Sequence, residues 1–171
     1  MKAPLVVILM GSKADETHCS KIAAAVGAFG IEAVTRVGSA HKTPAHVCAM
    51  LAAYEADGRP KVYITVAGRS NALSGFTDGS VRAPVIACPP ESQAFGGSDI
   101  FSSLRMPSGI APAFVSEPAN AALLAAKILG LCDPGVARAV ASFMESNARK
   151  IIADDEAVAS GTSEVPKSVR T

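Results

Sequence analysis

Leu5 to Leu9 reads Leu-Val-Val-Ile-Leu and is cut off at once by Met10-Gly11-Ser12. A run so short, so apolar and so rich in β-branched residues is a strand buried on both faces, which requires a parallel sheet covered by helices on either side. The rest of the chain repeats the alternation. From Ala14 to Phe29, the apolar positions Ile22, Val26 and Phe29 recur at helical spacing, with Gly30 as the stop. Ile31–Val37 is a second strand, and Thr43-Pro44 reads as an N-cap with proline in the first turn of a helix reaching Glu55. Val62–Val66 is a third strand and Pro84–Ala87 a fourth, separated by a glycine-bearing loop from Ala67 to Gly79 with room for a short helix. Glu91–Gly109 reads as a long irregular loop. Ile110–Val115 forms a fifth strand, placed at an edge by Pro112. Pro118–Leu129 is a helix, and Asp133-Pro134 opens another that runs to about Asp155. The fold class is α/β with a mostly parallel sheet.

The 171 residues suit a single domain over residues 1–158, followed by a polar tail, residues 159–171, expected to be mobile unless a partner holds it. A formal net charge of +1 provides no positive field for nucleic acid or an anionic membrane, and aromatics at 5% with no Trp argue against base-stacking platforms. No stretch reaches the roughly 20 apolar residues of a membrane span, and the first strand follows the N-terminus directly, so a cytoplasmic location is expected. Cys19, Cys48, Cys88 and Cys132 have neither Cys-x-x-Cys nor metal-ligand spacing; free, mostly buried thiols and no metal are expected. Cys88 reads as a packed thiol, since no general base falls at a recognisable spacing from it. Alanine richness and a 49% apolar content point to self-association.

In a parallel α/β sheet, ligands bind beyond the carboxyl ends of the strands. Three strand-end segments carry polar residues: Gly11-Ser12-Lys13-Ala14-Asp15, Ser39-Ala40-His41-Lys42-Thr43 and Ala67-Gly68-Arg69-Ser70-Asn71. Gly11-Ser12 precedes a helix, whose free N–H groups and positive end suit a phosphate. It lacks the P-loop ending and the dinucleotide fingerprint, and a plain turn capped by Ser12 or Asp15 is the competing reading. Asp15, one turn in, is placed to accept from ribose hydroxyls. His41 is the one histidine in a strand-end loop, and an imidazole can take and return a proton near neutral pH. His18 and His46 fall within helix patterns and read as surface or interface residues. Lys42 offers a flexible ammonium for phosphate, with a solvated surface lysine as the alternative. Gly68, Arg69, Ser70 and Asn71 supply backbone, guanidinium, hydroxyl and amide donors, although a simple turn is possible there too.

Together with Met106-Pro107-Ser108-Gly109 and the continuation Ala72-Leu73-Ser74-Gly75, these segments resemble the family of purine biosynthesis that makes the carboxylated aminoimidazole ribonucleotide, from about Leu5 to Asp155. The match is closest to class II, the 5-aminoimidazole ribonucleotide (AIR) carboxylases that use carbon dioxide directly. Class I, the N5-carboxyaminoimidazole ribonucleotide mutases, usually has Arg where this chain has Lys42 and a His-containing, Gly-rich loop where it reads Arg69-Ser70-Asn71-Ala72-Leu73; the mutase remains the alternative activity. The resemblance implies a three-layer, flavodoxin-like αβα domain with a C-terminal helical extension, assembled into a homo-octamer with active sites between subunits. It implies reversible, ATP-independent carboxylation of AIR to CAIR with no cofactor. Ser12, Ser39 and Lys42 would hold the phosphate, Asp15 the ribose, and Gly68 and Ser70 close over the base. His41 matches the family's proton-transfer histidine, and Gly11, Arg69 and Asn71 are further contacts to consider.

Overall fold

A computed structural model of the chain describes residues 2–92 and 94–161. Five strands, β1 (Leu5–Met10), β2 (Glu32–Val37), β3 (Lys61–Val66), β4 (Val85–Ala87) and β5 (Ala113–Phe114), form one parallel sheet in the order β2-β1-β3-β4-β5. That is the strand order of the flavodoxin-like doubly wound fold. The α-helices of the described residues are α1 (Glu16–Gly27), α2 (Pro44–Ala56), α3 (Leu73–Asp78), α4 (Phe101–Leu104), α5 (Pro118–Leu129) and α6 (Pro134–Ala159).

Alternation along the central strands divides the core in two. Val6, Ile8 and Met10 of β1, with Val62, Ile64 and Val66 of β3, pack beneath Ile22 and Val26 of α1 and the alanine face of α5, Ala121, Ala122, Ala125 and Ala126. Leu5, Val7, Leu9 and Tyr63 point the other way, onto Val47, Met50 and Leu51 of α2 and Leu73 of α3. Every residue of β1 and β3 is buried, as the apolar run in the sequence required. Each such large side chain contributes about 1.5–3 kcal/mol of burial. Alanine on α5 lets that helix lie close to the sheet and to α1.

The N-terminal helix begins as a 3-10 turn, Lys13–Asp15, where Ser12 Oγ accepts the Ala14 N–H at 3.2 Å, so the capping reading of Ser12 holds. Gly30, at φ 72°, ends the α1 segment in the left-handed region that glycine enters without strain. Asp133 caps α6 as expected, accepting from Gly135 N and Val136 N at 2.8 and 3.0 Å. Thr43 departs from expectation: it sits at the N-cap of α2 but makes no cap bond, because its hydroxyl turns back to accept the Ser39 N–H at 3.0 Å. The supposed irregular stretch 91–109 contains a 3-10 helix, Ala94–Ile100, that runs into α4. β5 is confined to two residues at the sheet edge, after Pro112. Only two of the four thiols, Cys19 and Cys88, are buried; Cys48 and Cys132 are exposed. α6 runs to Ala159, four residues beyond the expected end near Asp155, and residues 162–171 of the expected tail lie outside the described residues. Among the described residues no helix is long and apolar enough to cross a membrane.

Gly38 ends β2 and hands the chain to the Ser39 loop. A Cβ there would lie 2.7 Å from Met50 Cε and 2.8 Å from Val47 Cγ2. The methionine end can swing, but the valine methyl is fixed on a stiff, β-branched side chain. We expect Gly38→Ala to lower the unfolding free energy by about 1–3 kcal/mol in urea titration, the usual cost of overpacking.

Candidate functional site

The order β2-β1-β3 puts the chain reversal of the doubly wound sheet between β1 and β3, and the loops that leave β1, β2 and β3 meet at their carboxyl ends. Met10 pairs with Val66 and with Val37, which sets the first residues beyond the three strands side by side. Gly11 N donates to Val66 O and Gly38 N to Met10 O, both at 2.9 Å, so the loops diverge from a common, hydrogen-bonded rim. Above that rim is a cavity of about 500 Å³.

Gly11, Ser12, Asp15, Ser39, His41, Lys42, Gly68, Arg69 and Ser70 all line it. Ten site residues were read from the sequence, and this is every one except Asn71. The Asn71 side chain is buried: its Nδ2 donates to Ser103 Oγ at 2.9 Å, its Oδ1 accepts from Ser74 N at 3.2 Å, and its backbone N donates to Ser102 Oγ at 2.9 Å. It holds the loop from behind.

Each loop is fixed locally. Between β2 and α2, Thr43 N donates to Ser39 O at 2.9 Å and Lys42 N to Ser39 Oγ at 3.2 Å, which with the Thr43 hydroxyl closes the five residues on themselves. Ala40, His41 and Lys42 are carried on that closed turn, with the imidazole and the ammonium exposed to the cavity and to solvent. Among the described residues, neither side chain is taken up by a hydrogen bond or an ion pair, which leaves both available to a ligand. The loop after β3 contains Arg69 at φ 58°, the one non-glycine residue with positive φ among the described residues. A side chain in that region costs on the order of 1–2 kcal/mol. The conformation is held by Ser102, whose hydroxyl lies 3.2 Å from Arg69 O and 2.7 Å from Asp99 O while accepting from Asn71 N. Ser102 and Ser103 brace this loop, a role that sequence reading missed; both lie in the segment expected to be irregular.

Asp15 is half-buried at the cavity edge. Burial raises its carboxyl above the ordinary value, and the positive form of His18 one turn along the helix pulls the other way. His18, expected as a surface or interface residue, is half-buried within the chain and hydrogen-bonded. Its Nε2 lies 3.2 Å from Cys88 O and 3.5 Å from Cys88 Sγ. Burial depresses its pKa, the bond to the Cys88 carbonyl raises it, Lys21 lowers it, and Asp15 and Glu117 raise it. Spacing i, i+3 from Asp15 was the signal that could have found it. The Cys88 thiol is pushed up to about 12, chiefly by burial, so it stays protonated and packed despite the adjacent imidazole. His46 is exposed on α2, as expected.

A second recess of about 240 Å³ shares Ala67 and Gly68 with the main cavity and is walled by Pro89, Pro90, Ile100 and Phe114. The site therefore combines three features: helix-end and hydroxyl donors, the cationic side chains of Lys42 and Arg69, and a histidine, His41, with no protein partner on its ring among the described residues.

Known proteins give this arrangement a context. The family model described as AIR carboxylase matches residues 5–150. A phosphoribosylaminoimidazole carboxylase of Treponema denticola is 64% identical over 152 residues, spanning 89% of this chain and 96% of that protein. One from Archaeoglobus fulgidus is 54% identical, spanning 88% and 82%. The human bifunctional phosphoribosylaminoimidazole carboxylase/phosphoribosylaminoimidazole succinocarboxamide synthetase is 48% identical over 75% of this chain, which corresponds to 30% of that longer protein. The crystal structure of Treponema denticola PurE superposes with a TM-score of 0.88 at 63% identity, covering 90% of this chain and 97% of that one.

The Asn71 clamp is testable. Asn71→Ala should lower the unfolding free energy by about 1–3 kcal/mol, since Ser74 N and Ser103 Oγ lose their partner in a buried setting. Chemical denaturation of the two proteins measures it.

Proposed function

The chain belongs to the AIR carboxylase family, and from that membership we propose how its cleft carries out the reaction. The enzyme is a phosphoribosylaminoimidazole carboxylase of purine biosynthesis, which adds carbon dioxide reversibly to 5-aminoimidazole ribonucleotide without ATP. The observation that carries the site assignment is the convergence of His41 and Lys42 with Ser12, Asp15 and Ser39 on one cavity of about 500 Å³.

In our reading the phosphate of AIR lies against Ser12, Ser39 and the Lys42 ammonium at the start of the helix that follows β1. Asp15 accepts from the ribose hydroxyls. The aminoimidazole then reaches the loop of Gly68 and Ser70, with backbone donors near the new carboxylate. Its amino group makes carbon 4 nucleophilic, as in an enamine. Carbon 4 forms a bond to the carbon of carbon dioxide, one C–O π pair moves to oxygen, and the ring is left cationic with a proton still on carbon 4. His41 takes that proton, aromaticity returns, and the exposed imidazole releases it to water; decarboxylation runs the same steps backwards. The chain's contribution is to align two reactants and to place one base.

Direct use of carbon dioxide, the class II activity, is favoured over the mutase by Lys42 and by Arg69-Ser70-Asn71-Ala72-Leu73, which differ from the usual class I residues. We also propose a single domain over residues 1–158, a cytoplasmic enzyme, and a homo-octamer with sites completed by neighbouring subunits. Met144, Ile151, Ile152 and Val158 of α6, all exposed in the lone subunit, support the assembly.

Incubation with AIR and bicarbonate, without ATP, should yield CAIR; turnover of the N5-carbamate alone would establish the mutase. His41→Asn should lower kcat by about 10²–10⁴ while calorimetry still detects AIR binding. Lys42→Ala should raise KM for AIR about tenfold through the lost charge-assisted phosphate contact.

A further inference from the structure

Asp15 and Gly68 line the same cavity on separate loops, which leave the paired strands β1 and β3 and run on to different neighbours. Asp15 sits at the start of α1, which packs on α5, β1 and β2. Gly68 is backed by the end of β4: a Cβ on it would lie 3.6 Å from Pro90 Cγ. The chain between β4 and Pro90 is Cys88-Pro89, and neither proline has an N–H with which to anchor itself. Cys88 holds the strand side through its own N–H to Thr65 O at 2.9 Å and its thiol to Ser116 O at 3.6 Å. Its carbonyl is left to face α1, where His18 Nε2 meets it at 3.2 Å. A carbonyl only accepts, so the Nε2 position carries the proton and His18 is the donor.

We propose that His18 is a positioning residue for substrate binding: its Nε2–H bond to the Cys88 carbonyl ties the first turn of α1, and with it Asp15, to the β4 end that supports Gly68. His18 lies three residues after Asp15, on the same face of the helix. The bond crosses 70 positions of sequence and adds, above the β1–β3 pairing, a second tie between the ribose side and the base side of the cleft. No proton passes between His18 and the substrate; its effect on the reaction runs through Asp15 and Gly68. The role rests on the assignment of the cleft to AIR given above.

The test compares two amides that differ in reach. Glutamine can place its N–H close to the position of Nε2, whereas asparagine is one methylene shorter and falls short of the carbonyl. His18→Asn should raise KM for AIR about tenfold, with kcat within about twofold of wild type, because one hydrogen bond in a partly buried site is lost. His18→Gln should bring KM back to within about twofold of wild type. Calorimetric titration with AIR should show the same order of affinities. A role confined to stability would lower the melting temperature of both variants and leave KM unchanged. The proposal is overturned by equal KM values in wild type, His18→Asn and His18→Gln, or by a His18→Asn variant that loses kcat at constant KM. If wild type itself neither binds nor carboxylates AIR, the assignment of the cleft falls first, and this inference with it.

Discussion

The structure depends on the pairing of β1 with β3, two strands buried on both faces and joined in register from Leu5–Lys61 to Met10–Val66. Since every residue of both strands is buried, a slip of the register by one would drive Val6 and Ile8 into the α2 layer and Leu5 and Val7 into the α1 layer. The register is therefore held by two cores at once. Because it is held, Gly11 and Ala67 emerge together, and the site inherits its geometry from the sheet.

The loops contribute what the sheet cannot. The residues from Ser39 to Thr43 are closed by backbone and hydroxyl bonds, which presents His41 and Lys42 at defined positions and leaves their ends unengaged. The loop after β3 is built the other way, with Arg69 in a costly conformation stabilised from behind by Asn71, Ser102 and Ser103. In the proposed reaction the closed turn would present the proton-transfer and phosphate groups, and the clamped loop the contacts to the base. Both open onto solvent, which suits a reaction whose base must discharge its proton between turnovers.

Much of this was legible in the sequence. The β-branched runs marked the buried strands, and the rule that ligands bind beyond strand ends pointed to the three loops that line the cavity. What eluded the sequence reading depends on contacts between distant segments. His18 looks like any polar residue on a helix until the β4 end is placed beside it. Asn71 carries an amide that suits a ligand equally well, and only the packing of α4 turns it inward. Thr43 has the right type and position for an N-cap, yet Ser39 competes successfully for its hydroxyl. The stretch from Glu91 to Gly109 reads as loop because its short helices follow from packing on the loop after β3 and carry no periodic pattern of their own.

The central claim is that the nucleotide lies across the carboxyl ends of β1, β2 and β3. A crystal structure of the protein with AIR bound tests it most directly. The account predicts the phosphate within hydrogen-bonding distance of Ser12, Ser39 and Lys42, the ribose on Asp15, and carbon 4 facing His41. A nucleotide bound with its imidazole away from His41, or with its phosphate in the recess between Pro89 and Phe114, would contradict it.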